Sequence, residues 1–150
     1  MEYAKDIAFI KDFVIRTKDN IVHGDHRYEV TQLINSLVGL LVLPKERYYK
    51  NINDNMIDSQ TFCAIRECIQ SNKKLKLVDI VRHMRNAIAH FHIECKAEFE
   101  TKVIDRIILT DDFRSDSPKP NFKMILPISL LEQFLFQLAD AVVKSITDTP

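Results

Sequence analysis

Glycine occurs twice and proline five times in 150 residues, which sets the chain apart from collagen-like and low-complexity disordered sequences. Neither sign of charge is in excess. Lys plus Arg and Asp plus Glu stand at 21 each, so no global field draws nucleic acid or membrane, and any polyanion site must be local. Cys63, Cys68 and Cys95 are an odd number at spacings that fit no zinc ribbon or thioredoxin pattern. That usage points to reduced thiols in a cytoplasmic protein. The longest apolar block, Leu37 to Leu43, is too short to span a bilayer. Met1 to Lys11 carries acidic residues from the second position onward, unlike the basic start and apolar run of a signal peptide. The expectation is a cytoplasmic protein with no membrane segment.

What remains is ordinary globular material. Hydrophobic residues are 46% of the chain, and the length suffices to bury a core without metal or disulfide staples, so residues 1–150 are expected to form one domain. Tyr3, Ile7, Ile10, Val14 and Ile21 recur at helical steps between charged residues. Asp25 can cap a second helix running from about Arg27 to Leu43, apolar all round in its latter half, where Gly39 admits a close neighbour and Pro44 stops it. Residues 45–57 read as a surface loop with room for one helical turn, and Tyr48 and Tyr49 there have rings suited to base stacking or to covering the core edge. Asp58 or Ser59 caps a short third helix with Phe62, Ile65 and Ile69 inward.

A fourth helix carries Leu77, Ile80, Val81, Met84, Ile88 and Phe91 as one stripe. The period then turns alternating, with Phe91, Ile93, Cys95, Ala97 and Phe99 on one side of a strand. Residues 103–109 suggest a second strand, residues 111–120 an exposed polar connection, and residues 122–126 a third strand. Ser129 and Glu132 have capping-box spacing ahead of a last helix with Leu131, Phe134, Leu135, Leu138, Val142 and Ile146 buried. The fold expected is mainly α, a bundle of four or five up-and-down helices with a small antiparallel β insertion at about residues 91–126 before the last helix.

Chemistry concentrates on the fourth helix, from Arg82 to His90. At 100° per residue the apolar stripe centres on Met84, and Asp79, Arg82, Asn86 and His90 fall on the opposite half. Asn86 and His90 are one turn apart, whereas Arg85 and His90 lie on opposite flanks. They cannot pair side by side on one helix. Two copies packed about a two-fold axis would let Arg85 of one approach His90 of the other, so a homodimer with a shared cleft is expected. Lys73, Lys74, Lys76 and Arg82 make this stretch locally basic and are the candidate RNA-backbone contacts.

The run Arg85-Asn86-Ala87-Ile88-Ala89-His90 resembles the Arg-x4-6-His signature of the HEPN superfamily, in which a polar residue, commonly Asn, follows the arginine. Arg-x4-His alone arises by chance in about one such chain in six, and Asn86 lowers that below about one in a hundred. The resemblance covers nearly the whole chain, including the earlier helix with Thr31, Asn35, Gly39 and Pro44 and the strand insertion before the last helix. It resembles bacterial and plasmid-borne HEPN proteins. They are usually dimeric, and many are metal-independent endoribonucleases of toxin-antitoxin or defence systems.

The resemblance thus implies Arg85, Asn86 and His90 as catalytic residues, no metal or other cofactor, RNA as substrate, and an antitoxin such as a nucleotidyltransferase as a possible partner. The residue types suit RNA cleavage, where the 2′-hydroxyl attacks phosphorus while a base, an acid and a cation serve the transition state. Arg85 can hold phosphate oxygens by paired donors, and Asn86 can orient His90 or the ribose. Three other readings stay open: a plain solvated helix face, a metal site at His90-x-His92-x2-Cys95, and a non-catalytic HEPN module that binds RNA, nucleotide or a protein partner.

Overall fold

The computed structural model describes residues 8, 11–12, 14–19, 29–42, 51–70, 74–97, 100, 104–113 and 120–147. The fold is mainly α, with a small three-stranded antiparallel sheet inserted before the last helix. Residues 14–19 are the continuous described part of α1. Then come α2 (Glu29–Leu37), α3 (Ser59–Glu67), α4 (Leu77–Ala89), β1 (Ile93–Ala97), β2 (Ile104–Phe113), β3 (Pro120–Pro127) and α5 (Ile128–Thr147). No described helix is long and apolar enough to cross a membrane. The expectations placed on Tyr3, Ile7, Ile10, Ile21, Asp25, Pro44, Tyr48, Tyr49, Phe99 and the Ile146 side chain lie outside the described residues.

The second helix does not stay α throughout. It widens into a π-helical turn at Val38–Val42, and this turn, with Gly39 and Leu40 buried in it, packs against α4. The loop before α3 contains a single 3-10 turn, Asp54–Met56. Asp58 caps α3 by accepting from Thr61 N at 3.1 Å. The buried Thr61 hydroxyl then accepts from the Gln133 and Gln137 amides at 3.1 and 3.0 Å, tying the start of α3 to α5.

Two contacts fix where α4 begins. Lys76 at its N-cap offers no side-chain acceptor, and the Asp54 carboxylate supplies one instead, accepting from Leu77 N at 2.8 Å. Arg66 donates twice to Leu75 O, at 3.1 and 3.0 Å, while its guanidinium lies over the Phe62 ring. Leu77, Ile80, Val81, Met84 and Ile88 are buried as the spacing requires. Each contributes about 1.5–3 kcal/mol by leaving water, and Met84→Ala would cost about 2–5 kcal/mol.

Phe91 departs from that stripe. The helix closes at His90, and Phe91 sits outside it at φ 58°, with its side chain 88% exposed. Three hydrogen bonds make the closure: His90 N to Asn86 O (3.0 Å), Phe91 N to Ile88 O (3.2 Å) and His92 N to Ala87 O (2.7 Å). The last two are the pair of a Schellman motif, which wants a left-handed residue at the position Phe91 occupies.

The sheet has the order β1-β2-β3. Strand β2 runs farther than its branched residues suggest, continuing through Asp111 to Phe113, so residues 111–113 belong to the sheet and not to an exposed connection. Alternation along β2 sends Ile107, Leu109 and Asp111 to the core face, opposite Leu126, Met124 and Phe122 of β3. Strand β1 is an edge strand, and Cys95 and Ala97 are exposed on it, so its expected dry face is largely wet. Helix α5 starts at Ile128, one residue ahead of Ser129, so that serine is inside the first turn instead of before it. Its stripe of Leu131, Phe134, Leu135, Leu138 and Val142 is buried over the sheet and α2.

Candidate functional site

The flank of α4 that meets β2 carries His83 and Asn86, three residues and about one turn apart. Between them, on the core face of β2, stands Asp111. Its Oδ2 lies 2.8 Å from His83 Nδ1 and accepts from Asn86 Nδ2 at 3.3 Å. A carboxylate only accepts, so this contact places a proton on Nδ1 and leaves Nε2 as the far nitrogen of the ring. The His83 ring is also stacked on Phe122, with centroids 4.6 Å apart and planes 9° from parallel. Asp111 is only 8% exposed. Its charge is met by two donors from a single helix face, as a buried carboxylate requires.

This arrangement corrects one part of the helical-wheel reading. Asn86 does not face solvent with Arg82 and His90; it is half-buried and its amide is committed to Asp111. Its tie to His90 runs through the backbone, since Asn86 O accepts from His90 N. A rotation of the Asn86 side chain is therefore resisted by β2.

His90 is exposed at the end of α4, and its ring centroid lies 6.1 Å from that of His92, also exposed. Arg85 is half-buried on the opposite flank. Arg85 and His90 are five residues apart, about 140° around a helix, and the His90 and His92 rings lie near each other. Arg82 is exposed and pairs with Asp79 at 2.9 Å, one turn back on the same helix. Lys74 and Lys76 are exposed at the opposite end of α4, about 20 Å from His90 at 1.5 Å per residue. Lys76 and Asp54 both line a cavity of ≈ 480 Å³, with Ile52, Asn53, Asn55 and Val78. Lys73 lies outside the described residues.

Among the described residues, no group of three or more His, Cys, Asp or Glu is gathered as ligands for a metal ion. Cys95 is exposed on β1, one residue beyond the alternation that would put it on the face of His92.

Sequence reasoning gave no functional role to Asp111, His83 or Phe91, and took His92 only as a possible metal ligand. Asp111 was findable: extending the 107, 109 alternation by one step puts it on the core face, where an aspartate requires donors. Phe91 was not, because its spacing from Met84 and Ile88 fits a continued helical stripe.

A family model described as HEPN pEK499 p136 matches residues 1–149. Searches of curated proteins and of solved structures return no match.

Proposed function

Because the chain belongs to the HEPN pEK499 p136 family, we propose that it is an endoribonuclease that needs no metal and works through Arg85, Asn86 and His90 in a cleft shared by two copies. The observation that carries this reading is the presentation of the motif. His90 is exposed at the helix end, the Asn86 side chain between the two motif ends is held by Asp111, and Arg85 is half-buried on the same helix. A second copy related by a two-fold axis supplies the arginine that one chain cannot bring to its own histidine.

In that cleft the RNA 2′-hydroxyl attacks the neighbouring phosphorus, with His90 moving a proton at the attacking or departing oxygen. The partner's guanidinium holds the equatorial phosphate oxygens as charge builds on them. Arg82 on α4, and Lys74 and Lys76 just ahead of its start, serve as contacts for the more distant RNA backbone, with Lys73 just before them in the sequence. The setting proposed is a toxin or defence system in the cytoplasm, with an antitoxin such as a nucleotidyltransferase as partner.

The test is cleavage of an RNA panel by wild type, Arg85→Ala and His90→Ala, with chelator present and a 2′-deoxy substrate as control. Loss of about a hundredfold or more in each variant, with no cut in the deoxy substrate, is the expected result. Equal cleavage by the variants refutes the assignment. Binding without cleavage by wild type returns the chain to a non-catalytic HEPN module. Sedimentation at assay concentration checks the shared cleft, which a strictly monomeric active species excludes.

A further inference from the structure

Phe91 is the most exposed large apolar side chain among the described residues, at 88%, and their only non-glycine residue with positive φ. A left-handed conformation costs a residue with a Cβ about 1 kcal/mol relative to glycine. The Schellman bonds around it would form equally well with glycine, which is the residue that position favours. An aromatic ring held there, in water, on a strained backbone, contributes nothing to the core.

The ring is one wall of a cavity of ≈ 220 Å³ whose other walls are His92, Ile93, Glu94, Ile108 and Thr110. Glu94 pairs with Ile108 across the β1–β2 ladder, and Thr110 N donates to His92 O at 3.1 Å. Glu94, Ile108 and Thr110 alternate with the core-facing Ile93, Ile107, Leu109 and Asp111, so they occupy the face of the sheet turned away from α4. The cavity combines an aromatic face, an aliphatic floor at Ile108, a hydroxyl and a carboxylate. Two of its lining residues, Phe91 and His92, directly follow His90 in the chain.

We propose that Phe91 and this cavity form a base-binding subsite that takes an unpaired guanine of the RNA, next to the phosphate at His90. The inference rests on the ribonuclease reading given above. Stacking on Phe91 supplies affinity for any base, because every base has a π-face. Guanine is selected by Glu94, since its adjacent N1–H and N2–H donors match the two oxygens of one carboxylate, a fork no other common base offers. Among the described residues Glu94 pairs with an exposed lysine, Lys96 at 3.1 Å, which it can exchange for the base, and such a surface pair is weak. A second copy of the chain is the poorer occupant. Among the described residues the other exposed large apolar side chains, Ile15, Val38 and Phe136, sit on α1, the π-helical turn and α5, so those described around Phe91 form no apolar patch of interface size.

The experiment measures binding of a 2′-O-methyl oligouridine carrying one guanine, by fluorescence anisotropy, to wild type, Phe91→Gly and Glu94→Gln. The glycine variant keeps the turn and relieves its strain, so folding is not at risk, and its thermal unfolding confirms that. Phe91→Gly is expected to weaken binding roughly ten- to a hundredfold, and Glu94→Gln to abolish the preference for the guanine oligomer over plain oligouridine. Unchanged affinity in Phe91→Gly, or a monomer–dimer shift in it without an affinity change, overturns the subsite; an unchanged preference in Glu94→Gln overturns its assignment to guanine. The two readings fail separately: wild type that binds this oligomer through Phe91 yet cuts no RNA keeps the subsite and loses the nuclease. Wild type that cuts RNA with Phe91→Gly indistinguishable does the reverse.

Discussion

Replacing Asp111 by alanine tests whether β2 braces the motif helix. The substitution removes the one oxygen that meets both His83 Nδ1 at 2.8 Å and Asn86 Nδ2 at 3.3 Å. The His83 and Asp111 side chains are 17% and 12% exposed, so water can replace little of what is lost. One short and one long hydrogen bond to a carboxylate contribute about 2–4 kcal/mol together. For a chain of this size that lowers the melting midpoint by about 5–15 °C. Denaturant unfolding of Asp111→Ala, His83→Ala and the double variant measures the pair directly, and a coupling of about 1 kcal/mol or more is expected. Under the proposed ribonuclease reading a positioning role has a further signature: well below both midpoints, RNA cleavage should fall on the order of tenfold in kcat with KM unchanged. Asp111→Asn, which retains an acceptor oxygen, should recover part of the stability. A coupling below about 0.3 kcal/mol, within ordinary additivity, refutes the brace.

Three further outcomes follow from other parts of the fold. Thr61→Val strands the Gln133 and Gln137 amides that now donate to its hydroxyl; it should cost about 1–3 kcal/mol in chemical unfolding, and Thr61→Ser should recover most of it. Phe91→Gly, by relieving the left-handed position at φ 58°, should raise the melting midpoint by about 2–4 °C, and a fall would mean the ring packs on something. The Cys68 thiol is pushed above its ordinary range by burial and then by Glu67, so iodoacetamide at mildly alkaline pH should modify exposed Cys63 and Cys95 first, as peptide mapping would record. The sign for stability follows: the folded chain holds this proton more tightly, so stability falls as pH rises past the ordinary thiol range and levels off above the raised value.

The helices were legible because each buries one face of a chain that alternates every three or four residues, and Val14, Leu77, Ile80, Met84, Leu131 and Leu138 all went inward as spaced. The capping of α3 by Asp58 was legible for the same local reason. What failed was non-local. Asp54 caps a helix 23 residues away, and no pattern near Leu77 announces it. The widening of α2 at Val38–Val42 leaves no mark in a segment that is apolar on every side. Asp111 and Asp112 carry turn chemistry, yet pairing with β3 drew both into β2, since Asp111 lies opposite Phe122 and finds donors on α4.

The same distinction applies to the motif itself. Spacing alone sets Arg85 and His90 on different flanks of a helix. It could not say what decides where His90 points, because that depends on a chain reversal with a phenylalanine where glycine is expected. The reversal sets His90 and His92 side by side and turns the Phe91 ring outward between them in sequence. If α4 simply continued, Phe91 would extend the buried stripe with Met84 and Ile88, and His92 would be carried a further turn along the helix. The Schellman closure is therefore what converts a core-forming pattern into a surface with two imidazoles and an aromatic face. A single φ angle, held by the carbonyls of Ala87 and Ile88, decides whether this end of α4 is core or site.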